Sequence, residues 1–340
     1  MKPYPLLFQP LLKPRVWGGR ALERLGKRLP RDQHIGESWE IADLPESIEG
    51  GQSIIANGEL AGVTLRRAIT DYSEAIMGAA ANRLTPWGGF PLLIKYLDAR
   101  ENLSVQVHPD AAYAKAHAGA HLKSEAWVIV DAQPGAVIYK GLRRGVTRDS
   151  FARNVAAGDV VQDLESIEVR PGDCHYLPSG TCHALGAGIL VAEVQTPSDT
   201  TFRVYDWGRT GRELHVEQAL ECMFEQDGRP RTSSSQPRRL IPNPIDGVTT
   251  TDLCETEYFS IERVDAAAGA SFPIVTQDLP VVWMMLSGAA EISGDFEPQP
   301  VNPGDSALIP AAANGWQAAF SANSRLLLVR LPSPLRNMLA

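Results

Sequence analysis

Thiols, positive charge and long apolar runs are all scarce in this chain of 340 residues, and each scarcity excludes something. The four cysteines (Cys174, Cys182, Cys222, Cys254) include no C-x-x-C pair, and a chain of this size needs no disulfide framework, so a reducing cytoplasm is the expected compartment. No apolar run approaches the roughly 20 residues of a bilayer span. The short one at the N-terminus is broken by Pro10, Lys13 and Pro14, which leaves no visible export signal. Lys plus Arg number 32 against 40 Asp plus Glu, and the resulting charge of −8 has the wrong sign for tracking a nucleic-acid backbone. Neither a membrane nor a nucleic acid is an expected partner, and the chain reads as a monomer.

What is present is ordinary for a globular protein, 44% hydrophobic and 21% charged, with length enough for two units. Short apolar segments bounded by turn residues recur: FPLLIKYLDA at 90–99, LSVQVHPD at 103–110, EAWVIVDAQPGAVIYKGL at 125–142, SIEVRPGDCHYLPSG at 166–180 and GILVAEVQT at 188–196. That spacing predicts a mainly β protein of antiparallel sandwich or barrel type. Helical spacing predicts helices over 64–81 with Thr64 as N-cap, over 110–121, from Thr147 to Ala157, and within 211–224. Residues 227–239 (DGRPRTSSSQPRR) offer little to bury and read as a linker or mobile loop, dividing the chain into units 1–226 and 240–340. The units look related, because Pro171, Gly172, Asp173 and Pro178 recur as Pro303, Gly304, Asp305 and Pro310, with Trp127 and Trp283 at matching upstream places.

From Gly172 to His183 the chain spells G-x5-P-x-G-x2-H, which resembles the second motif of the cupin β-barrels, although Ala187 stands where those families often carry Asn. The fold class expected is therefore two cupin-like jelly-roll barrels with a few inserted helices. Gln106 and His108 are i and i+2 on a predicted strand and share a face. With Glu125 and His183 they make a mixed N/O set suited to Zn²⁺ or another first-row divalent ion, with a position left for water. His117 and His121, i and i+4 on the predicted helix 110–121, lack the Glu of an H-E-x-x-H motif and read as surface or packing residues. His175 reads as a neighbour of the motif, and Cys182 as a core residue on the opposite face. The second unit has Val281 in place of the Glu and Ala311 to Asn314 where Gly and His should be, so it is expected to be metal-free.

At this point the likeness is specific. VWGG at 16–19, ESWEIAD at 37–43, FPLLIKYLDARENLSVQVHPD at 90–110, KSEAW at 123–127, PSGTCHAL at 178–185 and VAEVQTPSDTTFRVYDWGR at 191–209 resemble the type I mannose-6-phosphate isomerases, in the shorter bacterial form. The resemblance implies one Zn²⁺ per chain on Gln106, His108, Glu125 and His183, a phosphorylated hexose as substrate, and a catalytic Arg at Arg203, ten residues after Glu193. Lys123 matches too, and Lys95 adds positive charge. Moving a proton between C1 and C2 of a sugar through an enediol needs a base, and Glu193, Lys123, a metal-bound water or a group near His108 can each serve. A non-catalytic cupin that binds a sugar phosphate as a sensor or accessory protein is the alternative.

Overall fold

The computed structural model describes residues 2–224 and 245–332, so the expected loop at 227–239 lies outside the described residues. Its strands form four antiparallel sheets, two to each unit. The large sheet of the N-terminal unit runs in the order Leu11–Gly19, Ile35–Ile41, Leu93–Ala99, Ile189–Gln195, Glu125–Ala132, Cys174–Leu177. Its small sheet runs Phe202–Tyr205, Val105–Val107, His183–Leu185, Val137–Leu142, Leu164–Glu168. Leu97, Trp127 and Val191 of the first interleave with Ile138 and Leu185 of the second in one buried cluster, which is what holds the sheets face to face. The expected barrels are not closed. Closure needs a ladder that continues from one sheet into the other, and among the described residues no strand pairing joins the edges of the two sheets. Each unit is a two-sheet sandwich with cupin order.

The duplication seen in the sequence is a duplication of structure. In the C-terminal unit the order Ser260–Ala266, Ser324–Arg330, Val281–Ser287, Ser306–Ile309 repeats the four central and edge strands of the first large sheet. Gly172 N–H donates to Ile129 and Ile129 N–H to Asp173. Gly304, Met285 and Asp305 repeat both bonds. Gly172 (φ 96) and Gly304 (φ 84) sit in the left-handed region, a conformation an L side chain resists, which explains why both turns keep glycine. Glu125 pairs with Leu177 as Val281 pairs with Ile309, so valine occupies the place of the glutamate.

The two large sheets stand back to back. Ile94, Tyr96, Val128 and Val194 meet Ile261, Val282, Met284 and Leu327 in a core that the helix α1 (Leu65–Met77) closes with Leu65, Ile69 and Ile76. Burial on both faces explains why every residue of Leu93–Ala99 and Ile189–Gln195 is buried and why apolar residues fill successive positions on either side of Lys95 and Glu193. The N-terminal Leu6–Leu7 also pairs with Ser306–Ile309, lacing the first residues into the second unit.

Helix α1 is capped by Thr64, whose hydroxyl accepts from Arg67 N–H, and it gives way to a 3-10 turn at Gly78. The predicted helix 110–121 is shorter than expected. Helix α2 (Ala111–Ala116) stops before His117, because the next residues are committed elsewhere: His121 N–H donates to Thr200 Oγ1, its carbonyl accepts from Ser198, and Lys123 N–H bonds Pro109. His117 and His121 therefore do not share a helical face. Helices α3 (Arg148–Ala157) and α4 (Val216–Met223) pack Phe151, Leu220 and Met223 against the outer face of the small sheet, where Cys182 is buried. No helix among the described residues is long and apolar enough to cross a membrane.

Candidate active site

Two rows of inward-facing side chains make the site, one on each sheet. Directly paired residues of adjacent antiparallel strands share a face. Across the large sheet the pairs Trp39–Lys95, Lys95–Glu193, Glu193–Trp127 and Trp127–His175 lay down one row, with Glu125 two residues before Trp127 on the same side. Across the small sheet Arg203–Gln106, Gln106–His183 and His183–Lys140 lay down the other. Residues from distant parts of the chain thus meet because strand order brings them together.

Where the rows meet, the ligand atoms of His108, Glu125 and His183 lie within 4.8 Å of one another, all buried. Both histidines are oriented by their other nitrogen: His108 Nδ1–H donates to Thr200 O at 3.1 Å and His183 Nδ1–H to Thr181 O at 2.8 Å. That turns each Nε2 towards the carboxylate, at 3.4 and 3.2 Å. Burial, then the nearby Lys123 charge, lowers His108 to about 3, so its ring is neutral. Burial would raise Glu125, but Lys123 and the two imidazoles outweigh it and hold the carboxylate well below its usual range. Two imidazoles and one carboxylate, with His108 Nε2 and Glu125 Oε1 buried and without hydrogen-bond partners, fit a divalent metal ion.

Gln106 stands beside this triad. Its Nε2 is 3.3 Å from His183 Nε2, and a half-turn about the terminal bond would present Oε1 to the same point. Lys123 Nζ reaches Glu125 Oε2 at 2.9 Å. Gln106 and Lys123 also line a cavity of about 460 Å³, together with Lys95, Glu193, Asp199 and Arg203. The volume falls in the range of small-molecule sites. Burial and the neighbouring Glu125 push Glu193 up to about 7, against the pull of Lys95 and Lys123. Arg203 Nη1 donates to the Glu213 carbonyl at 2.8 Å, while its buried Nε has no partner. Asp206 is already held by Arg209 and Arg212, and among the described residues no ion pair to Arg203 is found. His175 faces the interior beside Trp127 but lies outside the triad.

A family model described as the catalytic domain of phosphomannose isomerase type I matches residues 6–135. Similarity then runs through nearly the whole chain. The mannose-6-phosphate isomerase ManA of Bacillus subtilis is 35% identical over 315 residues, 90% of this chain and 93% of that one. A mannose-6-phosphate isomerase of Streptococcus mutans is 33% identical over 320 residues, 92% and 94% of the two chains. The chain belongs to the type I phosphomannose isomerases. The crystal structure of the mannose 6-phosphate isomerase from Bacillus subtilis matches this fold with a TM-score of 0.83 at 29% identity, covering 96% of this chain and 99% of that one. A putative mannosephosphate isomerase from Archaeoglobus fulgidus, at 21% identity and a TM-score of 0.74, shares the cupin fold.

In this phosphomannose isomerase chain the structure adds a residue that motif reading passed over. Glu37 accepts from Arg15 Nε and Trp39 Nε1, both at 2.6 Å, and lies 3.6 Å from Lys95 Nζ, which is 3.4 Å from Glu193. The ESWEIAD stretch was visible, but only the pairing of Ile35–Ile41 with Leu93–Ala99 shows that its first glutamate braces Lys95. Burial would raise Glu37; the charges of Lys95 and Arg15 and the two hydrogen bonds overcome it and bring it from 4.5 to about 2. A carboxyl depressed on folding stabilises fully above its unfolded value and loses that contribution as pH falls through the folded one. Glu37 should therefore supply about 3 kcal/mol near pH 6 that disappears between about 4.5 and 2. Urea unfolding of Glu37→Gln and the parent should show a gap of that order near pH 6 that narrows towards pH 3. A gap independent of pH would show that Glu37 matters through packing alone.

Proposed function

We propose that the chain interconverts mannose 6-phosphate and fructose 6-phosphate, holding one Zn²⁺ on His108, Glu125 and His183 with Gln106 as the fourth ligand. The observation that carries this reading is the buried His–Glu–His cluster opening beside a cavity lined with Lys95, Lys123, Glu193 and Arg203, in a chain of this family. When bound, the ion would polarise the sugar oxygens on which negative charge develops.

The chain's own residues do the rest. Isomerisation takes the proton from C2 of the aldose and returns one to C1, through an enediol. Glu193, held near 7, is the side chain best matched to accept and return a proton at neutral pH. Lys95, 3.4 Å from Glu193, and Lys123 supply fixed positive charge where the enediolate oxygens form. Arg203 offers an unpaired guanidinium edge to a phosphate or an enediolate oxygen. Trp17, Trp39 and Trp127 form apolar wall. Every residue lining the cavity comes from positions below 226, which supports chemistry in the first unit with a metal-free second unit as its brace, in a chain that we take to act as a monomer. Four free thiols and a phosphorylated substrate suit the cytoplasm.

A coupled assay with glucose-6-phosphate isomerase and dehydrogenase should report turnover of mannose 6-phosphate within the ordinary enzymatic range of about 1–10³ s⁻¹. Chelation should stop it and Zn²⁺ restore it. Metal-loaded protein that binds the sugar phosphate without converting it would replace this reading with the non-catalytic one.

A further inference from the structure

Two of the four free thiols lie on strands that touch across the junction of the units. Cys174 opens the edge strand Cys174–Leu177 of the first large sheet, and Cys254 lies on the edge strand Val248–Glu255 of the second. Cys174 pairs with Val128 and so faces the shared core rather than the metal cluster. Cys254 follows a register break at Asp252 and pairs with Ile261, which faces the same core; such a break re-aims a side chain. Both side chains pack in one core cluster, where the strands Cys174–Leu177 and Val248–Glu255 touch. Cys254 is only 5% exposed, yet it forms part of the wall of a second cavity of about 470 Å³, with Phe259, Ile261, Thr276, Leu279 and Arg330.

We propose that Cys174 and Cys254 form a reversible disulfide that staples the two units together when the protein meets a peroxide. Cys174, and less strongly Lys140, lower the Cys254 thiol against the effect of burial, while Cys254 raises Cys174. Cys254 is thus the sulfur that attacks first. Its thiolate forms an S–O bond with one peroxide oxygen as the O–O bond breaks, and the departing hydroxide takes up a proton to leave as water. Cys174 then attacks the sulfenic sulfur: an S–S bond forms, the S–O bond breaks, and the oxygen leaves as a second water with the Cys174 proton. Two thiols and one hydrogen peroxide become one disulfide and two waters, and a dithiol reverses the change. The staple would tie the second unit to the strand next to Glu125–Ala132, which leads into the turn that carries His183.

The test uses the full chain with hydrogen peroxide, followed by alkylation in denaturant and non-reducing peptide mapping. Free thiols should fall from four to two, with a single linked peptide pair containing positions 174 and 254, lighter by about 2 Da than the reduced sum. Dithiothreitol should restore all four. The oxidised protein should melt at a higher temperature than the reduced one, because the bond closes a loop of 254 − 174 = 80 residues in the unfolded chain. Cys254→Ser and Cys174→Ser should both lose the thermal shift and the linked peptide, whereas Cys222→Ala, in a separate cluster, should keep them. Full alkylation of Cys174 after treatment, Cys254 passing on to sulfinic acid, or linkage through Cys182 or Cys222 would overturn the proposal.

Discussion

His183→Ala should abolish turnover of mannose 6-phosphate and strip the metal from the protein while leaving it folded. Three buried side chains supply the cluster, and His183 is the one whose loss disturbs least around it. Its Nε2 faces Glu125, its Nδ1 is satisfied only by Thr181 O, and its ring stands edge-on to Trp127. Glu125→Gln is the more drastic change. Besides removing the single anion of the cluster, it takes the partner from Lys123 Nζ at 2.9 Å, and an unpaired buried charge costs about 3–5 kcal/mol. Loss of activity in that variant would mix catalysis with stability. Metal content by elemental analysis, melting temperature and kcat, taken together on both variants, separate the two. The expected pattern is one ion per chain in the parent and none in His183→Ala, whose melting temperature should match the metal-stripped parent. Full metal content in His183→Ala, or activity that survives metal loss, would exclude the cluster from the chemistry. Gln106→Ala should weaken metal retention less than His183→Ala, since it removes a neutral amide from beside the triad.

Most of this cluster was legible before the structure, and what was not has a common cause. Gln106 and His108 could be grouped because strand alternation is local, and His183 because the turn from Gly172 to Gly180 has a fixed spacing. Val281 could be set against Glu125 because Trp127 and Trp283, two residues further on in each copy, match. The brace formed by Glu37 could not be read, since it depends on which strand lies beside Leu93–Ala99, and strand order is set by packing over the whole unit. The helix at 110–121 was over-extended for a related reason. Its alanines favour helix, but hydrogen bonds from Ser198 and to Thr200 hold the chain near His121 in another path, and tertiary bonds outweigh a propensity worth tenths of a kcal/mol per residue. The cupin strand order followed from the motif, which fixes a turn; whether the ladder continues from one sheet into the other is set by packing.

Arg203→Ala should lower kcat by about 10² to 10³ with metal content and fold unchanged. The structure sharpens the choice between a substrate contact and a surface ion pair. Asp206, the obvious partner, is already engaged by Arg209 and Arg212, and Arg203 keeps a buried Nε without a partner while Nη1 is anchored on the Glu213 carbonyl. A guanidinium anchored at one nitrogen and unsatisfied at another, on the wall of the cavity that holds Glu193 and Lys123, is poised to take an oxyanion. Arg203→Lys should recover little, because an ammonium on a flexible stem cannot both reach Glu213 and present a second donor in a fixed plane. None of the metal-cluster residues bonds the Arg203 side chain, so bound metal should stay at one per chain in both variants. If Arg203 binds the phosphate uniformly through the reaction, KM should rise while kcat holds; if it meets charge that develops only at the enediolate, kcat should fall. A change of less than threefold in both constants, with less than about 1 kcal/mol lost in stability, would reduce Arg203 to a surface residue.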